Sequence, residues 1–452
     1  MIQLMIAAPR SGSGKTVVTC ALLRALQKRG LTPCAFKCGP DYIDPTFHRS
    51  VLGVESRNLD LFLSSESCVR ALYERGCGDS DAAVVEGVMG YYDGLGGTSD
   101  RSSSWHVAET LELPVLLVLR AKGASLTLAA EIRGLLAFRE NSRVAGALLN
   151  ECSSGLYETL APVLERETGV PVLGCLPEIE AAKIDSRRLG LYTAGEVERL
   201  RERVDAVAQA LSENMDWQRF SEAFDRKRAK KPVASVEQNG GQIRVAVASD
   251  KAFSFTYYES LETLRKYGAE PVPFSPLNDA ELPDKIGGIY LPGGYPELHA
   301  KALFDNESMR KSIKCALENG VPTVAECGGF LYLGATLCDE RGKAYPMVGV
   351  LPGRASDTGR LVRFGYQTLR ADADSLLFRA GEAFPAHEFH YWESDDCGDA
   401  LRVEKGARGW RCGFVGDTLY AAFPHLYFAG RPELAERFVA AARKYGETHG
   451  FA

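Results

Sequence analysis

An apolar run, Ile2 to Ala8, feeds Pro9-Arg10-Ser11-Gly12-Ser13-Gly14-Lys15-Thr16. A helical pattern follows, with Val17, Val18, Ala21, Leu22, Ala25 and Leu26 on one side and Gly30 after its end. Strand, glycine-rich turn, Lys-Thr and helix, in that order, constrain the chain more than any other stretch. A turn of this kind points backbone N–H groups at a single spot. Lys15 adds a point charge there and Thr16 offers a hydroxyl to a divalent cation, which together suit a phosphate. A loop that is merely rich in small residues is the competing reading, and the strand and helix on either side count against it. The first Gly of the strict pattern is missing: position 9 holds Pro9, and position 8, where a longer variant has its Gly, holds Ala8. Arg10 reads as a solvated side chain.

Further apolar runs alternate with helical patterns: Pro33 to Lys37, Ala82 to Val85, Val115 to Leu119, Val144 to Leu149 and Val170 to Leu176. That alternation predicts a parallel, doubly wound α/β sheet. The second run enters Gly39-Pro40-Asp41-Tyr42-Ile43-Asp44-Pro45, and the third ends in Glu86-Gly87-Val88-Met89-Gly90 with Asp93 just beyond. Acids at the carboxyl ends of such strands lie where open α/β sheets hold ligands, and one beside a phosphate loop is the usual second anchor for Mg²⁺. Each alone could equally be a solvated loop residue or a helix cap. Asp185-Ser186-Arg187-Arg188 offers two Arg to carboxylates. Helical, charged sequence is expected from Glu196 to about Lys231.

From Asp225 to Gln242 apolar periodicity disappears and Lys, Arg, Pro, Ser and Gly dominate, which predicts a linker between a domain of residues 1–224 and one of 243–452. Strand and helix patterns then resume, giving a second doubly wound α/β domain. Its focal stretch is Ala325-Glu326-Cys327-Gly328-Gly329, after the apolar Val321 to Val324 and before Phe330-Leu331-Tyr332-Leu333. A Cys and two glycines between strand and helix expose a nucleophile on a tight turn, and the new helix's N-terminus favours a thiolate. Pro292-Gly293-Gly294-Tyr295-Pro296-Glu297 could offer N–H groups to an oxyanion. His425 is the base favoured by chain order, with His387 and His390 of His387-Glu388-Phe389-His390-Tyr391 as alternatives.

Composition adds exclusions. The chain of 452 residues has a net charge of −6, which argues against nucleic-acid or anionic-membrane partners. None of the twelve Cys forms a CxxC pair. Without a signal-peptide pattern, reduced thiols in the cytoplasm are expected. The apolar runs are too short to span a bilayer.

Taken together, these motifs resemble the cobyrinate a,c-diamide synthases, ATP- and glutamine-dependent amidases of corrin-ring biosynthesis, over essentially the whole length. The resemblance implies a synthetase domain akin to dethiobiotin synthetase and a class I-like glutamine amidotransferase domain. It assigns Cys327 as nucleophile, His425 as the residue that activates it, and Gly293 and Gly294 as the oxyanion site. Ser11, Gly12, Ser13, Gly14, Lys15 and Thr16 become the ATP loop, with Thr16, Asp41 and Glu86 as Mg²⁺ partners. Tyr42, Ile43, Asp44, Glu86 and Asp93 are assigned to the corrinoid carboxylate substrate. A class I triad has a Glu two residues after its His, where this chain has Tyr427, so a Cys-His dyad is expected. The motifs leave hydrogenobyrinate or nickel-sirohydrochlorin open as acceptors, and also a nucleotide-switched binding protein with a vestigial C-terminal module.

Overall fold

In the computed structural model, which describes residues 1–180, 194–227 and 242–451, the apolar runs become parallel strands. The chain divides into one unit of Met1–Leu61 and Ser65–Ala234 and another of Phe62–Ser64 and Ser235–Ala452.

The first unit carries β1 (Ile2–Ala7), β2 (Pro33–Cys38), β3 (Ser56–Leu59), β4 (Ala82–Glu86), β5 (Val115–Arg120), β6 (Val144–Asn150) and β7 (Val172–Leu176). They form a seven-stranded sheet in the order β3-β2-β4-β1-β5-β6-β7. Every pairing is parallel. The order reverses at β1, so the loops leaving β1, β2 and β4 gather at the switch point where such sheets hold ligands. A sheet covered on both faces favours apolar strands, as β4 is up to Val85 and β5 up to Leu119; of these two strands only Arg120 at the end of β5 reaches solvent. β3 is buried at every position although Ser56, Arg57 and Asn58 are polar, and for that reason no apolar pattern announces it.

Helix Lys15–Lys28 packs Val18, Leu22 and Leu26 in one core with Val204, Val207 and Leu211 of helix Ala194–Glu213. Each such side chain contributes about 1.5–3 kcal/mol on burial. That anchors the first helical turn, which holds Lys15 and Thr16 and has no side-chain cap. The charged helical stretch holds two helices: Ala194–Glu213 ends, and Asp216 starts Trp217–Phe224 by accepting the Arg219 N–H at 3.1 Å. Asp225, the first residue of the expected linker, bridges Ile2 and accepts from the N-terminal ammonium at 2.7 Å. The rest of that linker from 228 to 241, and the Asp185-to-Arg188 stretch, lie outside the described residues.

The second unit's main sheet contains β8 (Ile243–Ala248), β9 (Ala269–Phe274), β10 (Ile286–Leu291), β11 (Thr323–Glu326) and the strands Phe414–Val415 and Leu419–Ala422. Its order is Phe414–Val415, Leu419–Ala422, β11, β10, β8, β9. All pairs are parallel except the Phe414–Val415 edge. Two four-stranded, mainly antiparallel sheets are added between Thr336 and Cys412. They lie outside the doubly wound pattern that the alternating strands and helices predict. The His387-to-Tyr391 cluster turns out to end one of their strands, Ala383–His390, where Phe389 faces solvent and Glu388 and His390 are buried. Among the described residues no helix is long and apolar enough to cross a membrane.

Candidate active sites

A cavity of about 650 Å³ opens at the carboxyl end of β1, a volume suited to a small ligand. Ser11, Gly12, Gly14, Lys15 and Thr16 line it, as do Asp41, Ile43, Asp44 and Glu86. Ser13 is buried behind the loop, with its hydroxyl donating to the Arg10 carbonyl at 3.0 Å. Gly14 has φ +96°, and a Cβ there would lie 2.2 Å from Asn150 Nδ2, so only glycine serves. Asn150 in turn donates to the Ser13 carbonyl at 3.0 Å, holding the loop from β6. The far wall comes from Arg120, Asn150 and Pro177 to Ile179, at the ends of β5, β6 and β7. Tyr42 and Asp93 do not line the cavity. The Asp93 carboxylate instead accepts the Gly90 N–H at 2.9 Å and closes the turn after β4. Arg10 points away, largely exposed and paired with Glu131, as expected of a solvated side chain.

At the floor sits Lys37, which the sequence reading passed over as the last residue of a strand. Its ammonium is 2.5 Å from Asp44, 2.7 Å from Glu86 and 3.9 Å from Asp41. Burial alone would drive this lysine down, but Asp44, Glu86 and Asp41 outweigh it and hold the charge firmly. The signal available in sequence was a cation closing a buried strand, directly comparable to Glu86 closing β4. Glu86 is fully buried and accepts from the Thr16 hydroxyl at 2.6 Å. Burial and then the nearby Asp44 push it up to about 7, against the pull of Lys37 and Thr16. Asp44 is held below the ordinary range because Lys37 overcomes its burial. His48, buried against Ser56 at 3.0 Å, is driven down to about 4 and stays neutral. Lys15 donates to the carbonyls of Met89 and Arg10, and burial followed by repulsion from Lys37 lowers it to about 8.

The oxygens of Thr16, Asp41 and Glu86 form a hard-donor set facing one cavity. Glu86 Oε2 is buried without a hydrogen-bond partner, an arrangement that fits a cation completing the site. The fit is not a closed cage, since among the described residues no three acidic, His or Cys side chains converge on one point. A magnesium ion that keeps most of its waters and is shared with phosphate oxygens needs no more than this.

In the second unit, β11 ends at Glu326 and the chain turns sharply at Cys327, which has φ +48° and ψ −103°. A non-glycine residue in this region is strained, and the Cys327 N–H bond to the Ala422 carbonyl at 2.8 Å helps hold it. A Cβ on Gly329 would lie 2.1 Å from the Leu291 carbonyl oxygen, so the turn closes only with glycine there. A Cβ on Gly293 would lie 2.4 Å from His425 Cε1, 3.3 Å from its Nε2 and 3.4 Å from Cys327 Cβ. Cys327, His425 and the Gly293 turn therefore meet at one point. Gly293 gives its carbonyl to the Phe255 N–H at 3.0 Å, and among the described residues no hydrogen bond uses the N–H of Gly293 or Gly294. Both remain available to an oxyanion.

Of the other histidines, His390 is saturated: it contacts Glu388 and the Trp392 carbonyl at 2.7 Å each and stacks on Phe423 at 3.8 Å. His387 exchanges backbone bonds with His425 at 2.8 and 3.2 Å and, buried, is lowered to about 3, mainly by desolvation. The thiolate expected from the helix N-terminus is not the resting state. Burial raises the Cys327 thiol far above its ordinary value, with Glu297, Glu388 and Glu326 adding to the effect and only the Gly328 N–H opposing it. The helix, Gly328–Leu333, is too short to outweigh that loss of hydration. Tyr427 packs edge-on against Tyr257 at 4.9 Å. A carboxylate does stand beside His425, but it is Glu326, whose Oε2 is 3.5 Å from His425 Nδ1.

Two family descriptions match the chain: a CobQ/CobB/MinD/ParA nucleotide binding domain over residues 4–191 and a CobB/CobQ-like glutamine amidotransferase domain over 244–433. A curated relative from Clostridium tetani, named cobyrinate a,c-diamide synthase, is 39% identical over 96% of this chain and 98% of its own. One of the same name from Listeria innocua is 37% identical over 98% and 100%. The solved structure of PurLQS from Thermotoga maritima covers 45% of this chain and 98% of its own at 20% identity and a TM-score of 0.34, too distant to argue from.

Proposed function

The chain belongs to the cobyrinate a,c-diamide synthase family, and from that premise we propose that it amidates the a- and c-acetate carboxylates of cobyrinate in cobalamin biosynthesis. It is a glutamine-hydrolysing carbon–nitrogen ligase that uses ATP. The observation that carries this reading is the meeting of Cys327, His425 and Gly293 at a strained elbow, in a chain that also holds a phosphate loop over a buried Lys37. A nucleotide switch with a vestigial second module would have no use for that elbow. The curated relatives are named for cobyrinate, which favours it over the metal-free and nickel acceptors.

Cys327 Sγ attacks the side-chain amide carbon of L-glutamine while His425 takes the thiol proton. The oxyanion forms against the N–H groups of Gly293 and Gly294. His425 returns its proton to the departing nitrogen, leaving ammonia and a thioester that water hydrolyses to glutamate. In the other unit, Ser11 to Thr16 bind the phosphates of ATP. Thr16, Asp41 and Glu86 would hold Mg²⁺, which when bound neutralises phosphate charge. Lys15 and Lys37 draw the acceptor carboxylate and the γ-phosphate together, and phosphorylation turns the carboxylate oxygen into part of a leaving group. Ammonia then displaces phosphate to give the amide, and a second acetate repeats the cycle. Tyr42, Ile43, Asp44 and Asp93 are proposed to bear on the choice of acetate, Ile43 and Asp44 from the cavity wall and Asp93 through the turn it closes. The setting proposed for this chemistry is the cytoplasm.

The test is Cys327→Ser. A neutral hydroxyl is a far weaker nucleophile, so glutamine-dependent diamide formation should disappear, whereas ammonium chloride above neutral pH should still support it. Retained glutamine use would remove Cys327 from its role.

A further inference from the structure

We infer that Glu326, the residue immediately before the nucleophile, is the third member of the glutaminase site, a positioning residue that holds His425 and balances the charge His425 acquires. This rests on the reading of Cys327 and His425 as nucleophile and base.

Glu326 is wholly buried at the end of β11. Its Oε1 accepts the Leu426 N–H at 3.1 Å and its Oε2 accepts the Tyr290 hydroxyl at 3.1 Å. Both donors belong to the frame, so the carboxylate is oriented independently of the imidazole. Oε2 then lies 3.5 Å from His425 Nδ1. The other edge of the ring, Cε1 and Nε2, faces Gly293 on the side where Cys327 Cβ lies. The backbone of His425 is fixed by its two bonds to His387, so the ring has little freedom except rotation.

A buried carboxylate is costly unless a positive charge meets it. Among the described residues the one ion-pair partner within 4.0 Å of Glu326 is His425. Cys327, Glu326 and His387 are among the titratable groups near the imidazole. The last is buried and neutral, so it cannot supply that charge. While His425 is neutral, Glu326 works against the thiolate, as its share in raising Cys327 indicates. Once the proton moves from Cys327 to His425, the new imidazolium lies between thiolate and carboxylate, and the same charge favours the transfer. Tyr427, two residues after His425, leaves the usual acid position empty. Here the acid enters from the strand that carries the nucleophile rather than from the loop that carries the base.

The experiment compares Glu326→Gln and Glu326→Asp with wild type. Glutamine keeps a carbonyl for Leu426, loses the charge, and puts an NH₂ in place of the oxygen that faces Tyr290 and His425. Glutaminase kcat should fall about 10²-fold in Glu326→Gln, with KM within about threefold and ammonia-dependent amidation unchanged. The acid limb of the kcat/KM profile should move to lower pH, because the charge that faces the imidazole is gone. Glu326→Asp should restore part of the rate and of the limb. A Glu326→Gln enzyme with wild-type kcat and an unmoved limb would overturn the inference. So would a fall in kcat that Asp does not relieve and that leaves the limb in place, since that is loss of packing. A readout on wild-type protein covers a variant that does not fold: in ¹⁵N-histidine NMR, with His425→Ala identifying the signal, Nδ1 should carry a proton at neutral pH. A bare Nδ1 with the proton on Nε2 overturns the inference. Loss of glutamine use in Cys327→Ser alongside an indifferent Glu326→Gln would reject Glu326 while keeping the nucleophile.

Discussion

Gly293→Ala puts one methyl group into the most crowded point of the glutaminase site. Its carbon would start 2.4 Å from His425 Cε1, 3.3 Å from Nε2 and 3.4 Å from Cys327 Cβ. Ordinary carbon contacts begin near 3.5 Å, so about 1 Å of displacement must be found. His425 cannot yield it through its backbone, which is bonded to His387 at 2.8 and 3.2 Å. The imidazole must rotate or the Gly293 turn must retreat, and the turn carries the proposed oxyanion donors. A displacement of that size costs about 10²-fold in a reaction that depends on alignment. The overpacking itself costs about 1–3 kcal/mol, which a domain of ordinary stability survives. Glutamate release should therefore fall at least 10²-fold while diamide formation from ammonia persists and the melting transition remains cooperative. Wild-type glutamate release in a folded Gly293→Ala protein would refute the placement of Cys327, His425 and Gly293 at one reacting centre.

Three further outcomes concern the phosphate site. Lys15, lowered to about 8 in the free protein by burial and by Lys37, binds phosphate only when charged. ATP affinity should weaken tenfold per unit as pH rises above about 8, by the linkage of one proton, and isothermal titration at several pH values checks it. Lys15→Ala should lose amidation with either nitrogen source. Lys37→Met should remove the shared cation from buried Asp44 and Glu86 and lower unfolding stability by about 3–5 kcal/mol, measured by denaturant titration. A variant as stable as wild type would show that those acids are not held by Lys37.

The parallel strands and the two turns were legible because each rests on local chemistry. Most buried parallel strands here are largely apolar, and a phosphate loop or a nucleophile turn must carry glycine where the backbone is strained or crowded, as at Gly14 and Gly329. What was not legible depends on partners far away in sequence. Lys37 gains meaning only when β2 lies beside β4 and brings Glu86 to it. Glu326 looks like the end of a strand until Leu419–Ala422 pairs with β11 and carries His425 back to it. β3 was missed because its burial is satisfied by polar residues. The resting state of Cys327 went the other way, since burial and three nearby acids outweigh the short helix.

At the centre of the proposed reaction, ammonia from glutamine displaces phosphate from an activated carboxylate. One isotope experiment addresses it: wild-type enzyme with ATP, Mg²⁺, glutamine labelled with ¹⁵N in its side-chain amide and cobyrinate labelled with ¹⁸O in its carboxylates, followed by mass spectrometry of both products. The expected products are a diamide with ¹⁵N at both new amides and inorganic phosphate carrying one ¹⁸O for each amide formed. Phosphate free of ¹⁸O, or amides free of ¹⁵N, would contradict that displacement.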